Sequence, residues 1–275
     1  MNGDESATPQ EPLSSLGVEA LFGVTDRSAL VTGASRGIGR MIAEGLVVNG
    51  ARVLIAARAS EDLERTVSEL GSLGSCEAVE SDVTTADGRA AIVQAVSERG
   101  SLDLLVNNAG MAVPESLGSI DPDAAAAMLE LNLTAPLLLT DALLPALRRA
   151  ADAADPSRVV MIGSVDGIRV PKAPLFTYGA SKAALHSLTR QLAHALATDH
   201  INVNAIAPGM FPSAMTEAML AAPGMLERIN AAIPAGRIGG TQDITAAVLY
   251  LASRAGAYLN GAVIPVDGGV STTHG

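Results

Sequence analysis

Tryptophan is absent from this chain of 275 residues, and only three tyrosines, three phenylalanines and one cysteine occur in it. A single cysteine excludes an intrachain disulfide and a metal site made of several thiolates. We interpret this residue, Cys76, as a small apolar side chain buried in a strand. Because aromatic rings are so few, the core must consist of aliphatic side chains, alanine and glycine.

Basic residues are outnumbered as well, with 18 lysines and arginines against 29 aspartates and glutamates and a formal net charge of −11. Nucleic acids and anionic membranes bind to basic patches, so we expect neither as a partner. A local basic pocket would still allow an acidic carrier protein to bind. No metal is expected, because the four histidines lack metal-ligand spacing and are interpreted as structural or solvated: His186, His194, His200 and His274.

Long hydrophobic runs are also missing, and none reaches the roughly 18 residues of a transmembrane helix. Residues 1–21 are polar and acidic, and they lack the basic start and apolar stretch of a signal peptide. We therefore expect a flexible extension over residues 1–21, one domain over residues 22–275 and a cytoplasmic location.

Seven short apolar segments alternate with helical patterns along the chain. This rhythm predicts an α/β fold of the Rossmann type, in which a doubly wound, mostly parallel sheet carries helices on both faces of a single domain. A Met-, Ala- and Pro-rich segment, residues 210–237, is predicted to be a mobile substrate lid. The predicted strands are residues 28–32, 51–57, 76–80, 102–106, 158–162, 201–207 and 262–266.

A glycine-rich turn, with the pattern GxxxGxG at Gly33, Gly37 and Gly39, lies between the first predicted strand and a helix. Glycines allow a tight turn and a close approach of a diphosphate, which the free N–H groups at the helix start then bind. A plain strand-to-helix turn is the alternative. The predicted cofactor contacts of this turn are Gly33, Ser35, Arg36, Gly37, Ile38 and Gly39.

The second predicted strand is followed by Arg58, with no acidic residue at its end. In dinucleotide-binding folds an acid at this position binds the ribose 2′-hydroxyl of NAD, whereas an arginine suits the 2′-phosphate of NADP. Arg36 in the glycine turn supplies a second guanidinium. Either arginine alone would be an ordinary solvated charge, but together they favour NADP(H).

Polar side chains also follow the third and fourth predicted strands. Asp82 either accepts a hydrogen bond from the adenine amino group or caps the following helix. Asn107 and Asn108, followed by Ala109 and Gly110, allow close backbone approach to a ligand and can hold neighbouring loops, although a generic turn has the same composition.

Tyr178 and Lys182 are four residues apart at the start of a helical pattern that we assign to residues 183–198. Side chains at this spacing lie on one helix face, and a nearby ammonium lowers the pKa of a phenol toward the neutral range. Ser164, at the end of the fifth strand, can donate a hydrogen bond to a carbonyl oxygen. Asn132 is either a satisfied core amide or one that distorts its helix and holds a water for proton relay.

These motifs together resemble the short-chain dehydrogenase/reductase superfamily over residues 26–269. Residues 32–39 are similar to its cofactor loop, 107–110 to its sheet-stabilising motif, 208–209 to its nicotinamide-flanking motif and 267–269 to its C-terminal signature. Four residues are similar in order and spacing to its catalytic tetrad: Asn132, Ser164, Tyr178 and Lys182.

The resemblance implies that Tyr178 donates a proton to the reduced carbonyl, that Lys182 contacts the nicotinamide ribose and that Asn132 supports a water chain. It also implies that Asp82 and Val83 contact the adenine. Outside the glycine turn, the cofactor contacts predicted by the residues and the resemblance are Arg58, Asp82, Val83, Asn108, Ala109, Gly110, Tyr178, Lys182, Pro208 and Gly209.

Within the superfamily the chain is similar to 3-oxoacyl-[acyl-carrier-protein] reductases, particularly those linked to rhamnolipid synthesis, over residues 39–46, 50–58, 162–165 and 200–216. This implies NADPH-dependent reduction of a 3-oxoacyl thioester, linked to an acyl carrier protein or CoA, by a homotetramer or homodimer. The alternatives are an NADP-dependent alcohol, sugar or steroid dehydrogenase of the same fold and a non-catalytic NADP-binding regulator. Asp166 departs from the small residues common at its position and would add negative charge near the substrate.

Overall fold

A seven-stranded sheet forms the centre of the computed structural model, which describes residues 13–213 and 216–272 except for the side chain of Ala218. Every neighbouring pair in the sheet is parallel, and the order is β3-β2-β1-β4-β5-β6-β7. The predicted fold class is therefore confirmed. The strands are β1 Ser28–Thr32, β2 Arg52–Ala57, β3 Cys76–Glu80, β4 Leu104–Asn107, β5 Ser157–Ile162, β6 Ile201–Pro208 and β7 Val263–Val266.

Helices connect successive strands, as parallel pairing requires. A π-helical turn, Glu130–Thr134, joins α5 to α6. The α-helices of the described residues are α1 Val18–Phe22, α2 Gly37–Val48, α3 Glu61–Gly71, α4 Ala86–Glu98, α5 Pro122–Leu129, α6 Ala135–Ala150, α7 Phe176–Leu196, α8 Glu217–Leu220, α9 Met225–Ala232 and α10 Thr241–Ala252.

The core has two parts, one on each face of the sheet, because neighbouring residues of a strand point to opposite faces. Val31 in β1 packs in one cluster with Ile42 of α2 and Val248 of α10. Leu30 packs in the other, with Leu143 of α6 and Leu185 of α7. Strands covered on both faces are continuously apolar, which is why the sequence shows runs rather than alternation.

The strand order reverses between β1 and β4, since β2 and β3 lie on one side of β1 and β4 to β7 on the other. In open α/β sheets ligands bind outside the carboxyl ends of the strands at such a reversal. The turns that follow β1, β4, β5 and β6 meet at this edge.

The N-terminal segment is more ordered than its composition suggests. Residues 13–21, which the sequence analysis assigns to a flexible extension, contain a 3-10 turn over Leu13–Leu16 and part of α1, Val18–Phe22. Phe22 packs beside Tyr250 of α10, with ring centroids 6.4 Å apart, so tertiary contact orders a segment that has no strong pattern of its own. Residues 1–12 lie outside the described part of the chain.

The stretch Pro122–Ala150 is the one described helical segment that is long and apolar enough to cross a membrane by length and composition. Leu139, Leu143 and Leu147 of this stretch are almost completely buried against the sheet. These contacts are those of a core helix in a layered α/β domain.

Candidate active site

The glycine turn between β1 and α2 has the backbone that the sequence predicts. Gly33 and Gly37 have φ values of 64° and 58°, a region that side chains with a Cβ rarely adopt. A Cβ at Gly39 would lie 2.3 Å from the Asn108 amide nitrogen, so that position also requires glycine. No side chain caps the start of α2, and its first N–H groups remain available to an anion.

Asn108 holds this turn in place. Its Nδ2 donates to the carbonyl oxygens of Thr32 at 2.8 Å and Gly33 at 3.1 Å. The backbone N–H groups of Asn108 and Ala109 both donate to the Thr32 hydroxyl, at 3.0 and 3.1 Å. Asn107 instead points into the core, where it donates to the Thr140 hydroxyl at 3.1 Å. The predicted role of this motif in holding a neighbouring loop is confirmed.

The remaining residues of the turn have supporting positions. The Ser35 carbonyl accepts a hydrogen bond of 2.8 Å from Thr66 of α3, and Ile38 packs against the core. Gly110 adjoins the centre of the site, since a Cβ there would lie 3.1 Å from the Asn132 Oδ1 and 3.5 Å from the Lys182 Nζ.

Arg36 borders a cavity of about 740 Å³ next to the turn, together with Arg40, Asp62, Arg65 and Ser213. The Arg36 side chain is 62% exposed, with Nη1 3.8 Å from the Asp62 carboxylate. Sequence reasoning did not select Arg65, whose guanidinium pairs with Asp62.

Arg58 lies outside the lining of this cavity and is exposed. Its charge acts on Asp82, where it is a minor cause of a lowered pKa. Arg36 and Arg58 thus follow the neighbouring strands β1 and β2, and both side chains are exposed.

The Asp82 carboxylate makes its hydrogen bonds within its own turn. Its Oδ1 accepts from the Thr84 hydroxyl at 2.6 Å and the Thr84 N–H at 2.9 Å, and these bonds hold its pKa below the usual range. Thr85, not Asp82, caps α4, by accepting from the Gly88 N–H at 3.0 Å. The capping alternative for Asp82 is thus wrong. Val83 beside it is buried.

Tyr178 lies in the first turn of α7, which begins at Phe176, seven residues before the predicted helix start at 183. Ser164 lies near its hydroxyl, since the serine side chain lowers the pKa of the phenol. Ser164 also accepts from the Asp166 N–H at 3.1 Å, which fixes the hydroxyl at the end of β5. The sequence-predicted Ser–Tyr pair is brought together.

Burial raises the pKa of the Tyr178 phenol, the hydrogen bond with Ser164 opposes this shift, and the negative charge of Asp166 adds to it. This direction is the opposite of the predicted lowering by Lys182, which is not among the causes of the shift. The Lys182 ammonium lies 5.9 Å from the centre of the Tyr178 ring and donates to the Ile162 carbonyl at 2.8 Å instead. The site therefore holds a protonated phenol.

Lys182 is only 4% exposed, and desolvation lowers the pKa of its amine to about 8. An ammonium with a pKa near the working pH can donate a proton and recover it. Asp166 is half-buried, which raises the pKa of its carboxyl, and it lies 3.8 Å from the Arg169 guanidinium. The Asp166 carboxylate, whose negative charge was predicted to lie near the substrate, acts on the phenol and is opposed by this arginine.

Asn132 is fully buried in the π-helical turn between α5 and α6. Its Oδ1 accepts from the Met111 N–H and its Nδ2 donates to the Met111 carbonyl, both at 2.9 Å. Nδ2 is also 3.1 Å from the Ser181 hydroxyl. The side chain is thus a satisfied core amide in a distorted stretch of helix, and the water for proton relay stays a prediction.

The turn after β6 also lies at the carboxyl edge of the sheet. The Gly209 N–H donates to the Val266 carbonyl at 3.0 Å, and a Cβ at Gly209 would lie 2.9 Å from the Asp267 Cα. Pro208 is the last residue of β6. The predicted lid that follows contains α8 and α9, and a Cβ at Gly37 would lie 3.2 Å from the Ser213 Cβ, so the lid begins beside the glycine turn.

His186 is a buried neighbour of the site that the sequence interpretation left as structural or solvated. Burial first, and the Lys182 charge second, lower its pKa to about 4, so the imidazole is neutral. Its Nε2 has no hydrogen-bond partner among the described residues. No group of three or more His, Cys, Asp or Glu side chains that could hold a metal occurs in the part of the chain that the structure describes.

Known proteins share this arrangement over almost the whole chain. The sequence family described as enoyl-(acyl carrier protein) reductase matches residues 33–271. A rhamnolipids biosynthesis 3-oxoacyl-[acyl-carrier-protein] reductase of Pseudomonas aeruginosa is 46% identical over 90% of this chain and 97% of its own. The short-chain dehydrogenase/reductase PhomF of Diaporthe leptostromiformis is 34% identical over 90% and 92%.

Solved structures agree with the sequence relatives. The Pseudomonas aeruginosa RhlG/NADP active-site complex has a TM-score of 0.88 and 46% identity, and the match covers 91% of this chain and 98% of that one. A putative short-chain alcohol dehydrogenase from Sinorhizobium meliloti has a TM-score of 0.84 and 34% identity over 92% and 99%.

Proposed function

This chain belongs to the short-chain dehydrogenase/reductase family, and on that premise we propose that it reduces the ketone of 3-oxoacyl thioesters with NADPH. The observation that carries the proposal is the buried Lys182 ammonium, 5.9 Å from the centre of the Tyr178 ring and bonded to the Ile162 carbonyl, with Ser164 beside the phenol at the carboxyl edge of the sheet. The names of relatives from P. aeruginosa and Escherichia coli supply the substrate class, because both are 3-oxoacyl-[acyl-carrier-protein] reductases.

The glycine turn and the α2 N-terminus fit a diphosphate, because they offer free N–H groups and no Cβ that would block its approach. We assign the ribose 2′-phosphate to Arg36 and Arg58, the adenine to Asp82 and Val83, and the nicotinamide half to the turns after β4 and β6. When bound, NADPH supplies the hydride. The remaining proposed contacts are Gly33, Ser35, Gly37, Ile38, Gly39, Asn108, Ala109, Gly110, Pro208, Gly209 and the catalytic Tyr178 and Lys182.

Ser164 and Tyr178 bind the substrate oxygen in the proposed reaction. Because burial raises the pKa of the Tyr178 phenol, it stays protonated and can donate as negative charge develops on that oxygen. Lys182 can pass a proton back to Tyr178, since an amine with a pKa of about 8 can donate a proton and recover it near neutral pH.

In the proposed reaction, Asn132 and Lys182 help to return a proton to Tyr178. Both side chains adjoin Gly110, and the π-helical turn interrupts the regular helix at Asn132. We assign to them a water chain that reprotonates Tyr178.

Exposed leucines on α5 and α6 support a homotetramer or homodimer. Leu129, Leu137 and Leu138 are 41%, 37% and 39% exposed, although they flank a core helix pair. A second copy of the chain is the proposed cover. We also propose that an acyl carrier protein carries the substrate and that the protein is cytoplasmic. In this proposal, residues 210–237 close over the acyl chain.

The test is NADPH oxidation with an acetoacetyl thioester, linked either to acyl carrier protein or to CoA. A 2-enoyl thioester, a panel of small ketones and sugars, and NADH are run in parallel. The proposal expects turnover of the acetoacetyl thioester with NADPH and little with the enoyl compound. Turnover of ketones or sugars alone would make the chain an alcohol or sugar dehydrogenase, and NADPH binding without any turnover would make it a non-catalytic binding protein.

A further inference from the structure

Glu115 lies in the loop between β4 and α5, and only 8% of its surface is exposed. Its Oε2 accepts from the Thr177 N–H at 2.7 Å, and its Oε1 accepts from the Thr177 hydroxyl at 2.6 Å. These bonds, with a smaller contribution from the Phe176 N–H, hold the pKa of the carboxyl below its usual range. The carboxylate thus binds the first turn of α7 from 62 residues away.

The first turn of α7 has no cap of its own. Leu175 is the N-cap residue and offers no side-chain acceptor, although α7 has 21 residues. The first N–H groups of a helix need partners from outside it, and a carboxylate at that end also interacts favourably with the helix dipole. Glu115 supplies both.

Backbone contact reinforces this connection. The Glu115 N–H donates to the Pro174 carbonyl at 2.8 Å, just before α7 begins. Glu115 therefore joins the loop after β4 to the loop after β5 at the point where α7 starts. Ser164 is at the start of that second loop, and Tyr178 directly follows Thr177.

We propose that Glu115 is a positioning residue for the reduction, which caps α7 so that the Tyr178 hydroxyl remains against Ser164. The proposal rests on the proposed function, because it gives Tyr178 the catalytic proton. The mechanism is geometric: without the cap the first turn loses its acceptors, and the phenol moves relative to the oxygen it must reach. A misplacement of about 1 Å can cost roughly 100-fold in rate.

The same loop offers a matched control. Asp121 caps α5 by accepting from the Asp123 N–H at 3.0 Å, and it does not bind α7. Glu115→Ala and Asp121→Ala each remove one carboxylate cap from one loop. Glu115→Gln retains an oxygen for the Thr177 N–H and an amide for the Thr177 hydroxyl, so it restores the contacts without the charge.

The experiment measures kcat, KM and NADPH affinity for the four proteins, including wild type. We expect Glu115→Ala to lower kcat roughly tenfold or more while NADPH affinity stays within about twofold. Asp121→Ala should leave kcat within about twofold, and Glu115→Gln should recover most of the loss. Equal losses of kcat in Glu115→Ala and Asp121→Ala, or a parallel loss of NADPH binding, would mean that Glu115 only stabilises the fold.

A second readout needs no substrate. Tyrosine ionisation is visible in the ultraviolet without tryptophan interference, because the chain has three tyrosines and no tryptophan. Tyr178→Phe identifies the Tyr178 component, and Asp166 and Lys182, the other charges near the phenol, are kept in every variant.

In Glu115→Ala the less confined Tyr178 should ionise at lower pH than in wild type, since its raised pKa comes from burial. Asp121→Ala should follow the wild-type curve. A Glu115→Ala curve that superimposes on wild type would overturn the proposal. If wild type reduces no thioester, the proposed function fails, while this titration still decides the role of Glu115.

Discussion

Two cations are buried at opposite ends of strand β5, and they differ in what surrounds them. Arg158, near the amino end, is 1% exposed and donates to the Leu251 and Ser253 carbonyls at 3.2 and 3.1 Å. It also pairs with Asp155 at 3.2 Å. Lys182 binds the carboxyl end of β5 through one hydrogen bond, to the Ile162 carbonyl.

The number of acceptors around each buried cation shows what its burial does at that end of β5. The Arg158 guanidinium is held by three acceptors, one of them charged, and connects β5 to the end of α10. Lys182 has a single described acceptor, so desolvation lowers its pKa to about 8 and leaves donors free for a ligand. The amino end is thus arranged for stability, and the carboxyl end suits the proton transfer proposed above.

The largest effect is expected at the carboxyl end, from Tyr178→Phe. Loss of the proton donor should lower kcat by roughly 10²–10⁴-fold. NADPH affinity and the unfolding temperature should stay near wild type, which titration and thermal melts will check. Near-normal turnover would remove Tyr178 from the mechanism.

Lys182→Met should separate activity from stability at the same end. We expect kcat to fall roughly 100-fold, because Tyr178 loses the neighbouring group that returns its proton. The free energy of unfolding should remain equal or rise, since a buried charge is replaced by an apolar side chain of similar length. Denaturant melts would contradict the comparison if this variant lost as much stability as the corresponding change at Arg158.

Arg158→Met should give the opposite result. Removal of the guanidinium leaves two buried carbonyls without their donor and should cost about 3 kcal/mol of unfolding free energy. Turnover per folded molecule should stay close to wild type at temperatures below the melt. A specific loss of kcat would show that the amino end also serves the reaction.

A smaller effect is expected from His186 below neutral pH. Its pKa is about 4 when folded and near 6.5 when unfolded, so the unfolded chain binds more protons between these values. Stability should therefore fall by about 1–2 kcal/mol as pH decreases from 6.5 to 4, with allowance for solvent screening. His186→Gln should lack this part of the acid sensitivity in melts across that range.

Most of the fold could be predicted because the strands are apolar runs bounded by glycine and polar residues. Each predicted strand lies within two residues of its observed bounds. The serine, tyrosine and lysine of the site follow strand ends or share a helix face, which sequence spacing reveals.

The features that could not be predicted from the sequence depend on contacts between residues that are distant in the chain. The start of α7 at Phe176 was missed because its cap, Glu115, lies far away in the chain. The pKa of Tyr178 was misjudged because spacing on a helix cannot show that Lys182 points to Ile162. The helical structure in residues 13–21 adjoins α10, and the sequence of a short polar segment does not reveal such a contact.

The imidazole of His186 constrains which substitutions the turn after β5 can accept. A Cβ at Gly163 would lie 2.1 Å from the His186 Nε2, and one at Gly167 would lie 2.9 Å from its Cε1. Substitutions at Gly163 and His186 should therefore be epistatic: alanine at Gly163 becomes tolerable only after the histidine has been replaced by a smaller residue, whereas a Cβ at Gly167 would also lie 2.7 Å from the Lys182 backbone carbon. During sequence divergence or library selection, the histidine would have to change first.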